Sequence, residues 1–394
     1  MSQIEKLIAE LCPEGVEWKP LRDVAAYSDT RINAIDLDDS SFVGVDNLLP
    51  DKAGKTVAKY LPNTARLTSY EKGDVLLGNI RPYLKKIWLA DNNGGCSGDV
   101  LAIRIAKKFT SSISSEYLYY LLSSDSFFAY NMQHAKGAKM PRGSKSAILE
   151  YEIPVPPLAI QREIVDILDK FTSLEAELEA ELKTRKKQYE FYRKALLKFD
   201  ERDNVQWMTL NEIGKILMCK RVFKNETSSD GEIPFYKIGT FGSVPDAFIP
   251  REHYEKYKNK YPFPKQGDVL ISAAGTIGRT ITYDGIDAYF QDSNIVWIDN
   301  DESLVSNKYL WHWYQIIEWS TDGGTIKRLY NTNIRQTKIA VPPLEEQCRI
   351  VTILDKFDAL VNNISIGLPA EIAARRKQYE YYREKLLTFK RKEA

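Results

Sequence analysis

The sequence has little of what marks most enzymes, secreted proteins or membrane proteins. Only four cysteines occur in 394 residues, Cys12, Cys96, Cys219 and Cys348, all far apart. No Cys-x-x-Cys pair and no histidine at metal-ligand spacing accompanies them, which excludes a disulfide framework or zinc ribbon and leaves reduced thiols. The three histidines, His134, His253 and His312, stand in no motif with a serine or cysteine nucleophile and are read as structural or surface residues. Apolar runs fall far short of the roughly 20 residues of a membrane span. The opening Met1-Ser2-Gln3-Ile4-Glu5-Lys6 lacks the regions of a signal peptide, so a cytoplasmic protein is expected. Net charge is also scarce, 55 basic against 54 acidic residues. Any surface for a polyanion must therefore be local.

Catalytic motifs fail on inspection. Gly137 and Gly143-Ser144-Lys145-Ser146 approximate a P-loop, but the spacing is one residue too long and a serine precedes the lysine. The two Pro-Pro pairs follow valine, with no aromatic after them, and do not fit an amino-methyltransferase signature. Glu181-Leu182-Lys183 has nuclease-like residues but lies in an expected helix. A non-enzyme is expected.

What is present is a duplication, which has to be sought before the fold is read. Ile153-Pro-Val-Pro-Pro-Leu-Ala-Ile-Gln161, continuing to Phe171, returns as Ile339-Ala-Val-Pro-Pro-Leu-Glu-Glu-Gln347, continuing to Phe357, an offset of 186. Arg185-Lys-Lys-Gln-Tyr-Glu-Phe-Tyr-Arg193 returns as Arg375-Arg-Lys-Gln-Tyr-Glu-Tyr-Tyr-Arg383, an offset of 190. The second copy has thus gained four residues inside its helical region. Upstream, Trp18 to Val24 parallels Trp207 to Ile213, and Gly73-Asp-Val-Leu-Leu77 parallels Gly267-Asp-Val-Leu-Ile271. One frame, written twice, carries two divergent heads.

Each frame opens at Pro-Pro, which suits a helix start because the first turn has no use for the missing N–H. In the first copy an apolar stripe runs through Ile164, Phe171, Leu174, Leu178, Tyr189, Tyr192 and Leu196. Ile350, Phe357, Leu360, Tyr379, Tyr382 and Leu386 mark it in the second. The spacing, with a stutter at Leu174, Leu178 and Leu182, predicts a coiled-coil seam over a helix of about 60 Å from Ile160 to Phe199. Gly367-Leu368-Pro369 predicts a kink or a stop and restart. Such helices could also serve as core elements of two separate domains, although Glu175, Glu177, Glu179 and Glu181 are too polar for deep burial. Antiparallel pairing of the copies would relate the heads by a pseudo-two-fold axis, with helix length setting the gap between two half-sites.

Each head is expected to be α+β, with strands at 74–77, 100–103, 268–271 and 295–298 and helices at 115–122 and 307–314. Aligning the glycine-led strands sets Lys85 opposite Arg279, a common phosphate contact just past a strand. Arg81, Tyr83 and Lys86 lie beside the first, and Gly275 and Thr276 beside the second. A second basic loop in each head supplies Lys136, Lys139, Arg142 and Lys145, and Lys327, Arg328, Asn331, Asn333 and Arg335. Arginine and asparagine there could match guanine and adenine edges in the major groove, though solvated loop charge is an equal alternative for any one residue.

On these residues the chain resembles the specificity subunits of type I restriction-modification systems. Pro156-Pro-Leu-Ala-Ile-Gln161 with 185–193, and Pro342-Pro-Leu-Glu-Glu-Gln347 with 375–383, are similar to that family's two conserved regions. Gly73-Asp-Val-Leu and Gly267 through Gly278 resemble its target recognition domains; the Gly-Thr-Ile-Gly form occurs only in the second. The resemblance implies target recognition domains at 1–152 and 201–338, followed by helical regions at 153–200 and 339–394 that pair as an antiparallel coiled coil. It implies recognition of a bipartite asymmetric site in double-stranded DNA and docking of two methyltransferase subunits, with restriction motor subunits as further partners. S-adenosylmethionine, ATP and Mg would sit on those partners, and no cofactor or metal on this chain. The rival reading is a tandem coiled-coil scaffold with no DNA role, suggested by the near-zero net charge.

Overall fold

The structure, a computed structural model, describes residues 3–200, 205–321 and 327–393. Met1 and Ser2, the start of the segment read for a leader, lie outside the described residues. The chain forms two compact units, residues 1–179 with 372–394 and residues 180–371. Each unit therefore contains one head together with parts of both helical regions.

The core of the first head is a four-stranded antiparallel sheet in the spatial order Ala25–Tyr27, Val100–Ile105, Val75–Gly78, Ile87–Leu89. Gly73 begins its central strand because the chain turns there with φ +93°. Val75 to Leu77 then bury completely. The expected helix forms at Ser115–Leu122, capped by the Ser114 hydroxyl on the Tyr117 amide, and turns Tyr117, Leu118, Leu121 and Leu122 into the core. A second sheet orders Arg31–Asn33, Arg66–Tyr70, Gly94–Cys96 and Phe42–Val43, the last pair parallel. A two-stranded ribbon, Trp18–Pro20 with Glu152–Pro154, returns the chain to the helical frame.

The second head repeats the first sheet as Gly214–Leu217, Ile295–Asn300, Val269–Ser272 and Thr280–Thr282. It repeats the ribbon as Gln206–Thr209 with Lys338–Val341, and the helix as Asn307–Tyr314 under a Ser306 cap. Its remaining strands differ: Phe248–Ile249, Ile233–Tyr236 and Tyr289–Phe290 form a three-stranded sheet, and a helix at Arg251–Lys260 has no counterpart among the described residues of the first head. Both heads are thus α+β on one plan.

The first helical region is one helix, Leu158–Leu196, ending three residues before the expected Phe199. The second stops at Asn362 and restarts at Leu368. Gly367 is needed at that break, because a β carbon there would lie 2.4 Å from the Ala359 carbonyl oxygen. In the first unit Phe171 stacks on Tyr382 with centroids 5.6 Å apart, and Arg376 pairs with Glu175 and Glu179. In the second unit Tyr189 and Tyr192 stack on Phe357 at 6.2 and 5.3 Å, and the Tyr189 hydroxyl donates to Asp358 at 3.1 Å. Arg383 lies over Tyr379 and Arg193 over Tyr189, the same pair in both copies. Leu174 and Leu178 are half-buried, Leu196 and Leu386 pack at the edges of the apolar clusters, and Leu360 is exposed. Ile164 and Ile350, expected in the seam, are fully buried in clusters shared with head strands. The first turns of each helix therefore serve the head.

Candidate nucleic-acid interface

In the first head the strand Val75–Gly78 runs into a turn at residues 79–86 that the second basic loop clasps. The Asn79 amide donates to the Asp99 carbonyl at 2.8 Å, the Gly143 amide to the Asn79 carbonyl at 3.0 Å, and the Arg81 amide to the Pro141 carbonyl at 2.7 Å. A β carbon at 143 would sit 2.4 Å from the Oδ1 of the buried Asn131 and would displace that side chain. The structure thereby brings the two sequence-predicted basic segments together. Arg81, Lys139 and Lys145 are exposed, and Tyr83 is half-exposed. Arg142 is held by Asp99 through two bonds of 2.9 and 3.2 Å, which keeps that carboxyl below its usual range.

The second head repeats the arrangement. The Ala273 amide donates to the Asn294 carbonyl at 2.7 Å, and the Leu329 amide to the Ala273 carbonyl at 2.9 Å. Arg328 reaches the Asn294 side chain at 3.1 Å, and Arg279 the Gly242 carbonyl at 3.0 Å. Gly275 and Gly278 turn at φ +63° and +80°, and Trp319 packs where a β carbon at 278 would be. Thr276, Lys327 and Arg335 are exposed, and Asn331 begins a short half-buried helix to Gln336.

Lys85 does not correspond to Arg279; Lys86 does. The Gly78 amide donates to the Lys86 carbonyl and the Ser272 amide to the Arg279 carbonyl, each at 2.9 Å, so the first turn holds one residue more. Lys86 folds inward onto the Val45 carbonyl at 2.6 Å. Lys85 instead joins Lys52 and Arg383 around Asp125, at 2.7, 2.9 and 2.8 Å. Burial pushes the Asp125 carboxyl up, but the Lys85 and Lys52 bonds outweigh it and hold the group at about 2. This cluster ties the first head to the helix bearing Arg383, and it leaves Lys85 a structural partner.

Sequence reasoning missed the joints between heads and helices. Gln161 is fully buried; its Oε1 accepts from the Ser114 amide at 3.0 Å, and its Nε2 donates to the Ser112 and Pro156 carbonyls, both at 2.7 Å. Gln347 does the same to Ser306, Leu304 and Pro342 at 3.0, 2.8 and 2.9 Å. The exact repetition of a polar residue in Pro-Pro-Leu-x-x-Gln was the available signal. About two turns further on, the Tyr120 hydroxyl donates to Asp169, and in the second unit His312 takes that place on Asp355 at 3.0 Å beside Lys308 at 2.7 Å. Burial lowers the His312 pKa despite that carboxylate, so the ring is neutral.

Among the described residues no group of three or more metal-ligating side chains occurs, and no helix is long and apolar enough to cross a membrane. What the arrangement provides is two basic, loop-built surfaces on a repeated frame.

Comparison with known proteins gives this plan its class. The family model described as type I restriction modification DNA specificity domain matches twice, at residues 13–185 and 202–374. The chain belongs to the family of type I restriction-modification specificity subunits. It is 43% identical over 403 residues to a putative type I restriction enzyme specificity subunit of Haemophilus influenzae, covering 98% of each chain. It is 33% identical over 420 residues to the specificity subunit of an Escherichia coli type I restriction enzyme, covering 100% of this chain and 98% of that one. The fold matches a solved chain from work on complex assembly and conformational transition of a type I system, with TM-score 0.63, 20% identity, and 95% and 97% coverage. It also matches the HsdS subunit of Thermoanaerobacter tengcongensis, with TM-score 0.54, 20% identity, and 96% and 97% coverage.

Proposed function

We propose that this chain is the DNA-reading subunit of a type I restriction-modification complex, one head for each half of a bipartite, asymmetric site. The observation that carries the reading is the contrast within the duplication. The clasped basic turn, the glutamine joint and the helical frame recur, while the loops that surround the turn differ in length and chemistry. Two different readers on one frame suit two different half-sites.

The helical regions act as spacer and platform in this reading. The ring contacts of Phe171 with Tyr382, and of Tyr189 and Tyr192 with Phe357, support an antiparallel coiled coil with a pseudo-two-fold axis. Two methyltransferase subunits dock on it and methylate adenine, and restriction motor subunits join them. S-adenosylmethionine, ATP and Mg belong to those partners, and this chain contributes recognition without catalysis, in the cytoplasm. The exposed side chains Arg81, Lys139, Lys145, Thr276, Lys327 and Arg335 face the duplex. Exposed Tyr60, Leu61 and Val244 stand at loops near the same turns.

The test is binding of the complex with its methyltransferase to a duplex pool across a salt series. Release of counterions by several phosphate contacts predicts a log–log slope of about −0.9 per contact. A scaffold without a DNA role gives no such slope.

A further inference from the structure

The first head has a cleft of about 700 Å³ between its basic turn and a loop the sequence did not single out. That loop, residues 44–65, leaves the short strand Phe42–Val43 and carries Lys59, Tyr60, Leu61 and Asn63 exposed, Tyr60 at 80%. Across the cleft stand Arg81 and Met140. In the second head the loop after the corresponding parallel-paired strand, Ile233–Tyr236, is only about half as long and exposes Val244 at 80% beside the Arg279 turn. An exposed apolar tip beside a basic turn is thus common to both heads, with different lengths and residues.

Arg81 is the side chain that stands out. It adopts φ +52°, ψ +62°, a left-handed conformation that costs a side-chain-bearing residue free energy. Its counterpart in the second head, two residues past the Asn79 and Ala273 amides that anchor each turn, is Gly275 at φ +63°. Glycine is the unstrained choice there, yet the first head holds an exposed arginine, its backbone fixed by the Pro141 carbonyl. A strained residue kept at a surface cleft points to a use for its side chain. The charge around it points to the ligand: Lys59, Arg81 and Lys86 line the cleft with Asp46 and Asp99, and Asp99 is already paired with Arg142, in a chain whose net charge is +1.

We propose that this cleft receives base edges of one half-site in the major groove, with Arg81 as a specificity-determining residue that donates two bonds to a guanine. Tyr60 and Leu61 supply apolar contact to neighbouring bases, and Lys59 and Lys139 neutralise phosphates. This rests on the reading of the chain as a specificity subunit and adds which side chain decides one half of the sequence.

The experiment maps adenine methylation in a host expressing the cognate methyltransferase with wild-type, Arg81→Gly or Arg81→Lys protein. Glycine suits the backbone at 81, so Arg81→Gly tests the side chain without a folding burden. Arg81→Lys keeps the charge and loses the two-pronged geometry. Both variants are expected to relax one or two positions of a single half-site by roughly ten-fold or more in discrimination, with the other half-site unchanged. An unchanged motif overturns the inference, as does uniform weakening without change of sequence, which marks a phosphate contact only. Relaxation with Arg81→Gly but not Arg81→Lys also overturns the guanine-fork assignment. A wild-type protein that directs no split motif overturns the reading of the chain itself, a failure visible before any variant is compared.

Discussion

Replacing Gln161 with leucine should loosen the first head from its helix and leave the second head untouched. Leucine nearly preserves the volume, so the loss is three hydrogen bonds: the Ser114 amide and the Ser112 and Pro156 carbonyls lose their partners. A buried polar group left unmet costs about 1–3 kcal/mol. Ser112 and Ser114 retain some access to water, which argues for about 3 kcal/mol in all, or roughly 100-fold in the local opening equilibrium. Hydrogen exchange reads that equilibrium directly, in peptides spanning 112–118. Peptides spanning 304–310, held by Gln347, are the internal control. Gln347→Leu should reverse the pattern. A change under about five-fold, or an equal change in both heads, would refute the argument that each glutamine independently closes its own joint.

Asp125→Ala should destabilise the first unit by about 2 kcal/mol, seen as a lower thermal transition that added salt partly restores. The Arg383 side chain is 4% exposed and loses its carboxylate beside Lys52 and Lys85, but Asp125 is itself half-exposed, which reduces the usual cost of breaking a buried pair. Protonation of Asp125 acts the same way: its stabilisation is complete above the unfolded carboxylate value and is lost as pH falls toward about 2. In the second unit, the lowered His312 pKa means folding excludes a proton that the unfolded chain binds. Stability is therefore present above about pH 6.5 and declines as pH falls below it, by at most about 1.4 kcal/mol per pH unit. His312→Tyr, which copies Tyr120 of the first unit, should remove that decline in exchange protection between pH 7.5 and 5.5; persistence of the slope would implicate another group. Arg81→Gly should raise the stability of the first head by about 0.5–1 kcal/mol, the relief of a left-handed residue less the added freedom of the unfolded chain, whatever its effect on recognition.

The legible parts of the fold were those where local and tertiary preferences agree. Strands led by Gly73 and Gly267, helices at 115–122 and 307–314, and the Gly367 break formed where spacing placed them, because turn residues and capping serines punctuate them. The duplication exposed the architecture, since equal sequence in two copies implies equal structure. The basic turn and second loop were legible as charge, but their clasp through Asn79 and Ala273 carbonyls is backbone chemistry that side-chain pattern does not encode. An alignment anchored on glycine could not see the extra residue in the first turn, hence the misplacement of Lys85. Ile164 and Ile350 fit a helical period that both a partner helix and a head can satisfy; the seam and the core compete for one stripe. The loops 44–65 and 237–247 share no pattern, which is why the repeat hid them.

Two unlike heads on one frame should direct methylation to two unlike half-sites. This is tested most directly by mapping methylated adenines across a genome expressing the cognate methyltransferase, with and without this chain. The expected result is a motif seen only with the chain: two short, different sequences separated by a fixed run of unread base pairs. A continuous or palindromic motif, or methylation unaffected by the chain, would contradict it.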